Sequence, residues 1–339
     1  MAFKTVALNI IRAGILSTVQ DIGRWGFQRF GVPVGGAMDE FSHRLANLLV
    51  GNDEADAAVE ITLVGPAFTV TADTLLAVCG GDFEPRVNEE RLPRARPVLV
   101  KAGAKIDFGR CKRGCRAYLA VSGGFQVEPV MGSRSTFLRG GFGGYHGRAL
   151  KRGDVLETGE TDVTLYPGLR KRLEASHAAS AHPGWAATER VELLAPGPYV
   201  IRFTRGKHWD CFEEEALAQF QVGEYRVGTN SDRQGYRLVG SPMLLKAPLD
   251  LISEGVTFGT IQVPPDGEPI VLMASRQTTG GYPRLGEVIS ADLPLLAQLP
   301  PGAQMKFQQV TLEQAHALLL EREKDLVRMR QAVQLQARQ

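Results

Sequence analysis

Three loops of this sequence combine arginine with hydroxyl, amide or carboxyl side chains and with glycine. They are "ASRQTTGGYP" at 274–283, "GTNSDRQGYR" at 228–237, and "TVQDIGRWGFQRFGVPVGGAMDEFSHR" at 18–44. A guanidinium presents a planar fork of donors that matches a carboxylate, carbonate or phosphate. Glycine in the same loop lets a ligand approach the backbone closely. The loops therefore predict a site for a small anion or a planar amide.

Several familiar catalytic and nucleotide-binding motifs are missing from the sequence. It contains no G-x4-G-K-[S/T], no G-x-S-x-G and no H-E-x-x-H pattern. The glycine-rich stretch "GGFGGYHG" at 140–147 does not open a helix after a strand, so it is a poor dinucleotide-binding loop. The sequence therefore indicates ligand-binding chemistry without a recognisable catalytic motif of its own.

Composition indicates a soluble, cytoplasmic protein. The 339 residues carry a net charge of +2 and no basic run, so we expect neither a nucleic-acid nor a membrane partner. No window approaches the roughly 20 apolar residues of a membrane helix, and the N-terminus lacks a signal-peptide cleavage site. Cys111 and Cys115 have no second Cys/His pair near them, so we expect reduced packing residues and no metal site.

Short apolar segments punctuated by glycine and proline predict a mainly β fold with few helices. "LLAVCG", "RAYLAVSGG" and "IVLMA" are typical of short antiparallel strands in sandwiches or barrels. One helix is predicted over 39–50, where Phe41, Leu45, Leu48 and Leu49 form an apolar stripe.

The middle of the chain predicts a division into two related β-rich domains. Residues 174–188 are rich in small residues and indicate a linker or crossover. The pattern R-x-G-[F/Y]-x-x-x-G-x-P occurs at 24–33 and again at 233–242, which favours an internal repeat. The predicted boundaries are 1–173 for the N-terminal half and 189–309 for the C-terminal half.

A long C-terminal helix is predicted over 311–337. Thr311 and Gln314 form a capping box at its start. Apolar residues recur every seven positions, at Leu312, Leu319, Leu326 and Val333. This seam predicts either a partner helix or packing against the chain's own surface, and the sequence leaves both open.

The motifs together resemble one family. "TVQDIGRWGFQRFGVPVGGAMDEFSHRLANLLVGN", "GSRSTF", "SDRQGYRL" and "RQTTGGYPRLGEVISADLPLLAQLPPG" occur in the family's order, up to about residue 307. The family is that of the 5-oxoprolinase C subunit, also named allophanate hydrolase subunit 2 or the biotin-dependent carboxyltransferase family. It includes the antagonist of a sporulation-kinase inhibitor. The resemblance implies two cyclophilin-like β-barrel domains.

The resemblance also implies partner subunits. The C subunit acts with a kinase-inhibitor-like B subunit and with the A subunit to open 5-oxo-L-proline to L-glutamate at the expense of ATP. We then expect no cofactor on this chain alone, ATP use by the complex, and a small amide or lactam substrate. One alternative is a carboxyltransferase component of the urea carboxylase type that uses carboxybiotin from a partner. Another is a regulatory protein that sequesters a kinase inhibitor similar to the B subunit.

On the oxoprolinase hypothesis, Arg233 and Arg276 neutralise the substrate carboxylate or an activated phosphate or carboxylate, in one cleft that faces a second protein. Asp39 and His43 are expected to transfer protons. The residues expected to bind substrate are Ser231, Asp232, Glu254, Gln262, Gln277, Thr278 and Thr279.

One position departs from the family pattern. Ser275 stands where the family usually has Asp, which removes a charge partner for Arg276 or a proton acceptor. Glu254 follows the apolar "LDLI", so we expect an arginine beside it.

Overall fold

The computed structural model describes residues 4–162, 165–176, 178–189 and 197–337. They form two compact units. Unit 1 comprises the described residues within 1–23, 39–193 and 325–339, and unit 2 comprises those within 24–38 and 194–324. The prediction of a mainly β chain is confirmed, whereas a relation of both units to cyclophilin stays a prediction.

The observed division differs from the predicted boundaries in two places. Segment 24–38, predicted in the N-terminal half, belongs to unit 2, where the Arg233 guanidinium donates to the carbonyl of Gly36. Part of the predicted linker 174–188 is a strand, because Ser180 and Ala181 pair with Val100 and Leu99. Sequence composition does not detect pairings between residues this far apart.

Unit 1 contains two six-stranded sheets. In chain order its strands are β1 (Lys4–Arg12), β2 (Leu16–Gln20), β3 (Ala58–Thr62), β4 (Ala67–Val70), β5 (Thr74–Asp82), β6 (Arg86–Val87), β7 (Glu90–Arg91), β8 (Val98–Val100), β9 (Lys105–Asp107), β10 (Arg113–Val121), β11 (Val155–Thr161) and β12 (Ser180–Ala181). The first sheet has the order β11-β1-β4-β9-β6-β7 and the second β12-β8-β5-β10-β3-β2. One apolar cluster draws Leu8 and Phe68 from the first sheet and Val78 and Leu119 from the second.

Two helices accompany these sheets, α1 (Glu40–Leu49) and α2 (Pro167–Ala175). Helix α1 lies where the apolar stripe predicts it, and its stripe residues Phe41, Leu45, Leu48 and Leu49 are buried. Asp39 caps α1, because its side chain accepts a hydrogen bond from the Ser42 amide at 2.9 Å.

Unit 2 is built around a closed seven-stranded barrel. The strands of unit 2 are β13 (Tyr199–Arg205), β14 (Tyr225–Val227), β15 (Gly235–Val239), β16 (Glu254–Gly255), β17 (Thr260–Gln262), β18 (Ile270–Leu272), β19 (Thr279–Gly280), β20 (Arg284–Val288) and β21 (Gln304–Gln309). Its helices are α3 (Glu214–Val222) and α4 (Leu293–Ala297). The barrel order is β13-β20-β17-β18-β15-β14-β21, and β16 and β19 form a separate two-stranded ribbon. Phe307 stacks on Phe220 at 4.5 Å between ring centroids, with Phe203 and Tyr225 also against it.

The C-terminal helix is α5 (Leu312–Ala337). Its capping box forms, since the Thr311 amide donates to Gln314 Oε1 and the Gln314 amide to Thr311 Oγ1. Leu326 and Val333 are buried while Leu312 is 58% exposed. Burial of these two positions accounts for part of the heptad pattern without a partner helix. In the ranges that the structure describes, no helix has the length and apolar content required to cross a membrane.

We predict that Phe307→Ala destabilises the protein strongly. Phe307 is 2% exposed, and emptying such a site costs about 3–5 kcal/mol of unfolding free energy. Phe30→Ala is the matched control, since Phe30 is 64% exposed and surface changes usually stay within about 0.5 kcal/mol. Urea unfolding measures both; equal effects would contradict the assigned barrel core.

Candidate functional site

Arg233 and Ser275 hold each other through two hydrogen bonds. The Ser275 amide donates to the Arg233 carbonyl at 2.8 Å, and Arg233 Nε donates to Ser275 Oγ at 3.3 Å. Both residues are buried. The structure thus joins the Arg233 loop to the turn that carries Arg276. Ser275 stands in the position of the family's usual Asp, and its hydrogen bonds in the described chain are made with Arg233.

Arg276 is a buried cation whose charge has few hydrogen-bond or ion-pair partners in the described chain. The residue is 7% exposed, and its Nε donates to the Val256 carbonyl over a long 3.4 Å. Among the described residues, no carboxylate lies within 4 Å of its guanidinium. Burial lowers the pKa of Arg276 to about 10, an effect that Glu287 partly offsets, so the group stays charged at neutral pH. A charge buried in this way favours an anionic ligand.

Sequence reasoning missed Glu287, the carboxylate whose charge acts on the pKa of Arg276. Glu287 is half-buried, and its Oε2 accepts from Thr257 Oγ1 at 2.9 Å and from Thr260 Oγ1 at 2.8 Å. Burial raises the pKa of Glu287, while the two hydroxyls and the charges of Arg284 and Arg276 lower it. We call Val256, Thr257, Thr260, Arg276 and Glu287 the Arg276 cluster.

The ribbon of β16 and β19 brings four predicted residues together. Glu254 pairs with Gly280, and Gly255 with Thr279. Gly280 lies against Gln262, because a Cβ at this position would be 2.5 Å from Gln262 Nε2. Gln262 also donates to the Tyr282 carbonyl at 3.3 Å and accepts from Gln277 Nε2 at 3.5 Å.

The side chains of the 277–279 turn reach the surface. Gln277 and Thr279 are exposed and Thr278 is half-buried, and the Thr278 carbonyl accepts from the Val256 amide at 3.1 Å. The turn therefore presents an amide and two hydroxyls beside Arg276.

Glu254 has two cationic partners. Its carboxylate pairs with Arg284, the arginine that the sequence predicts, and with Lys207. These two hydrogen bonds hold the pKa of Glu254 below its usual value. Next to this group, His208 Nδ1 accepts from the Arg284 amide at 3.0 Å. These pairings help to fix the ribbon, and the substrate-binding role expected for Glu254 stays a prediction.

Ser231 and Asp232 are engaged within their own loop. Asp232 Oδ1 accepts from the amides of Gln234 and Gly235 at 2.7 and 3.2 Å, and Ser231 Oγ accepts from the Arg237 amide at 3.1 Å. These are turn-forming bonds, so the substrate-binding roles of both residues stay predictions.

Asp39 and His43, the residues expected to transfer protons, belong to unit 1. Besides capping α1, Asp39 donates its amide to the hydroxyl of Tyr118 at 2.7 Å, and that hydroxyl donates to Glu60 Oε2 at 2.8 Å. His43 is fully buried, and its Nε2 lies 3.2 Å from the Gln20 carbonyl. Because a carbonyl only accepts, Nε2 carries the proton.

The second ring nitrogen of His43 is an unused acceptor. Nδ1 is buried and finds no hydrogen-bond partner in the part of the chain that the structure describes. Burial lowers the pKa of His43, with Asp21 the largest of the opposing effects. His43 is therefore a neutral core histidine in this state, and its catalytic role stays a prediction.

A cavity of about 440 Å³ in unit 1 lies away from the predicted residues. The glycine-rich stretch 140–147, Glu128 and Glu157 are part of its lining. Gly144 and Gly147 are explained by close packing, since a Cβ at either would collide with Thr136 or with the Gly141 carbonyl. Within the described ranges, no three His, Cys, Asp or Glu side chains are placed to hold a metal ion.

Comparison with known proteins identifies relatives along nearly the whole chain. Residues 30–309 match the family model described as carboxyltransferase domain, subdomain A and B. The chain is 35% identical over 328 residues to the 5-oxoprolinase C subunit of Haemophilus influenzae, covering 96% of this chain and 98% of that one. It is 40% identical over 308 residues to the 5-oxoprolinase C subunit of Escherichia coli, covering 91% and 93%.

A solved structure is also similar. The crystal structure of Kluyveromyces lactis urea carboxylase matches with a TM-score of 0.85 and 32% identity, over 97% of this chain. The match takes up 30% of the urea carboxylase chain. This chain thus corresponds to nearly all of the two 5-oxoprolinase relatives and to less than a third of the urea carboxylase.

We predict that His43 makes stability fall as pH drops. Burial lowers the pKa of His43 in the folded chain from its usual 6.5. As the pH falls below 6.5, the unfolded chain therefore binds a proton at this residue that the folded chain does not. The unfolding free energy then decreases by at most about 1.4 kcal/mol per pH unit until the folded pKa is reached. Urea unfolding of the wild type between pH 7.5 and 5.5 measures this slope.

His43→Gln should show a shallower slope over the same range. His316→Gln changes a solvent-exposed histidine of α5 and should keep the wild-type slope. Identical slopes in all three proteins would contradict a neutral buried His43.

Proposed function

The chain belongs to the carboxyltransferase domain, subdomain A and B, family, and we propose that it acts as the C subunit of a 5-oxoprolinase. The two relatives that carry this name support the proposal, since each is matched over more than nine-tenths of its length. In this function the chain works within a complex that opens 5-oxo-L-proline to L-glutamate. Its cytoplasmic location remains a prediction.

The observation that carries the proposal is the state of Arg276. Among the described residues its charge is buried beside one backbone carbonyl at 3.4 Å and without a carboxylate within 4 Å. The carboxylate of 5-oxo-L-proline can accept two parallel hydrogen bonds from a guanidinium, as in a bidentate pair. In the bound complex this carboxylate would supply the missing counter-charge.

The neighbouring turn would bind the rest of the substrate. Gln277, Thr278 and Thr279 offer one amide and two hydroxyl groups beside Arg276. Such groups can hydrogen-bond the lactam carbonyl as negative charge builds on its oxygen, which is preorganised electrostatic stabilisation and not covalent attack. Arg233, bound to Ser275 and to the Gly36 carbonyl, would fix the turn in the orientation that this requires.

The A and B subunits would supply the remaining chemistry. Opening the ring adds the elements of water across the lactam C–N bond, and the complex would couple this step to ATP hydrolysis. The sequence of this chain has no phosphate-binding loop of the G-x4-G-K-[S/T] type. We therefore place ATP binding on a partner and half of the substrate site on this chain.

Carboxyltransfer is the second candidate function, favoured by the likeness to urea carboxylase at a TM-score of 0.85. Arg276 would then bind the carboxyl group delivered by carboxybiotin on another protein. Turnover that requires a biotinylated partner and is inhibited by avidin would select this function. A purely regulatory protein would instead act through partner binding that Arg276→Ala leaves unchanged.

We predict that Arg276→Ala raises the KM for 5-oxo-L-proline in the complex reconstituted with the A and B subunits. Losing a hydrogen bond to a charged group costs about 1.5–3 kcal/mol, which is about 10- to 150-fold. Arg276→Lys should recover part of the loss because it keeps the charge without the fork. Arg237→Ala, at an exposed arginine of β15, is the control and should leave the KM unchanged.

Two results would refute the proposal. Full 5-oxoproline-dependent ATP hydrolysis by the A and B subunits without this chain would exclude it from the reaction. An unchanged KM in Arg276→Ala would exclude the assigned anion site.

A second prediction concerns Gly280. Gly280→Ala places a Cβ 2.5 Å from the present position of Gln262 Nε2, so the flexible end of Gln262 must move while the backbone stays. We expect a several-fold drop in kcat/KM with little change in Tm. Gly255→Ala, on the paired strand with open space around it, should behave as the wild type; equal activity of both variants would show that the Gln262 amide plays no part.

A further inference from the structure

We propose that Glu287 is a further substrate-binding residue, whose carboxylate oxygen Oε1 accepts a hydrogen bond from an N–H group of the ligand held by Arg276. The inference rests on the proposed function and extends it, because it assigns the partner of the lactam N–H. It also defines the class of ligand: a small molecule that carries an anionic group beside an N–H donor.

The position of Glu287 is fixed on both sides by strand pairing. Glu287 lies on β20 between β13 and β17, opposite Thr204 and Thr260. Its Oε2 receives the two hydroxyl hydrogen bonds from Thr257 and Thr260. Thr260 Oγ1 in turn accepts from the Thr257 amide at 2.9 Å, so the hydroxyls are themselves held in place. One oxygen of the carboxylate is thereby occupied and the plane of the group is set.

The other oxygen of Glu287 is unused in the described part of the chain. No hydrogen bond to Oε1 and no cation within 4 Å of the carboxylate occurs among those residues. Arg284 acts on Glu287 electrostatically, but its guanidinium is paired with Glu254. A half-buried carboxylate that is neither paired nor fully solvated favours a donor from a ligand.

Two consecutive residues, Val256 and Thr257, hydrogen-bond Arg276 and Glu287 respectively. The Val256 carbonyl accepts from Arg276 Nε, and the hydroxyl of the next residue, Thr257, donates to Glu287. The two opposite charges are thus neighbours without forming an ion pair within 4 Å among the described residues. An anion at Arg276 and an N–H at Glu287 would satisfy both groups in one ligand.

This arrangement predicts selectivity for a lactam over a lactone. In 5-oxotetrahydrofuran-2-carboxylate the ring N–H is replaced by oxygen, while the carboxylate and the ring carbonyl remain. Binding the lactone would leave Glu287 Oε1 facing a lone pair. Sites built to hydrogen-bond a substrate N–H reject analogues that lack it.

The test is calorimetric binding of 5-oxo-L-proline and of this lactone to the assembled complex. The wild type should prefer the lactam. Glu287→Gln should bind the lactam about tenfold or more weakly and bind the lactone as well as the wild type or better, so the preference disappears. Glu268→Gln, at an exposed glutamate, should keep the wild-type preference.

Thr260→Val removes one hydroxyl that holds Glu287 and should weaken lactam binding by a smaller factor with little effect on the lactone. Thermal unfolding of each variant checks that it is folded. A wild-type preference in folded Glu287→Gln would overturn the inference, as would equal losses for both ligands, which indicate a structural role. A wild-type complex that binds neither ligand refutes the proposed function itself, and the inference with it.

Discussion

A guanidinium buried without a carboxylate is the constraint around which unit 2 can be understood. Arg276 keeps its charge at neutral pH, yet in the described chain it has one long bond to a backbone carbonyl. Desolvating a cation in this way costs stability, which the surrounding structure must offset. The mutual bonds of Arg233 and Ser275 and the β16–β19 ribbon fix the turn that carries this charge. The cost has a functional explanation if an anion completes the site.

Unit 1 uses its buried polar groups differently. The Asp39 amide donates to the Tyr118 hydroxyl, which donates to the Glu60 carboxylate, and burial raises the pKa of Tyr118 well above its usual value. This network orients the start of α1, where the Asp39 carboxylate caps the helix. Arg276 in unit 2 differs, because its buried charge has no carboxylate within 4 Å among the described residues, and this directs the functional assignment to unit 2.

The sequence predicted the features that are encoded locally. Helix α1 follows from its apolar stripe, and the start of α5 follows from Thr311 and Gln314. The arginine-rich loops were singled out by their composition, and they contain the buried Arg233 and Arg276. Family membership, expected from the quoted motifs, is confirmed. Glu287 could not be found, because only the register of the barrel strands brings it beside the distant segment that carries Thr257 and Thr260. The placement of 24–38 in unit 2 was not predicted for the same reason, since it depends on contacts between residues far apart in sequence, such as that between Arg233 and Gly36.

The most direct test of the central claim is the ¹⁵N resonance of Arg276 Nε in the assembled complex, assigned by comparison with Arg276→Lys and followed as 5-oxo-L-proline is added. The account predicts a saturable shift of this resonance and slower exchange of its N–H proton, with a midpoint equal to the binding constant of the substrate. An Arg276 signal that stays unchanged while the complex binds and turns over 5-oxo-L-proline would contradict it.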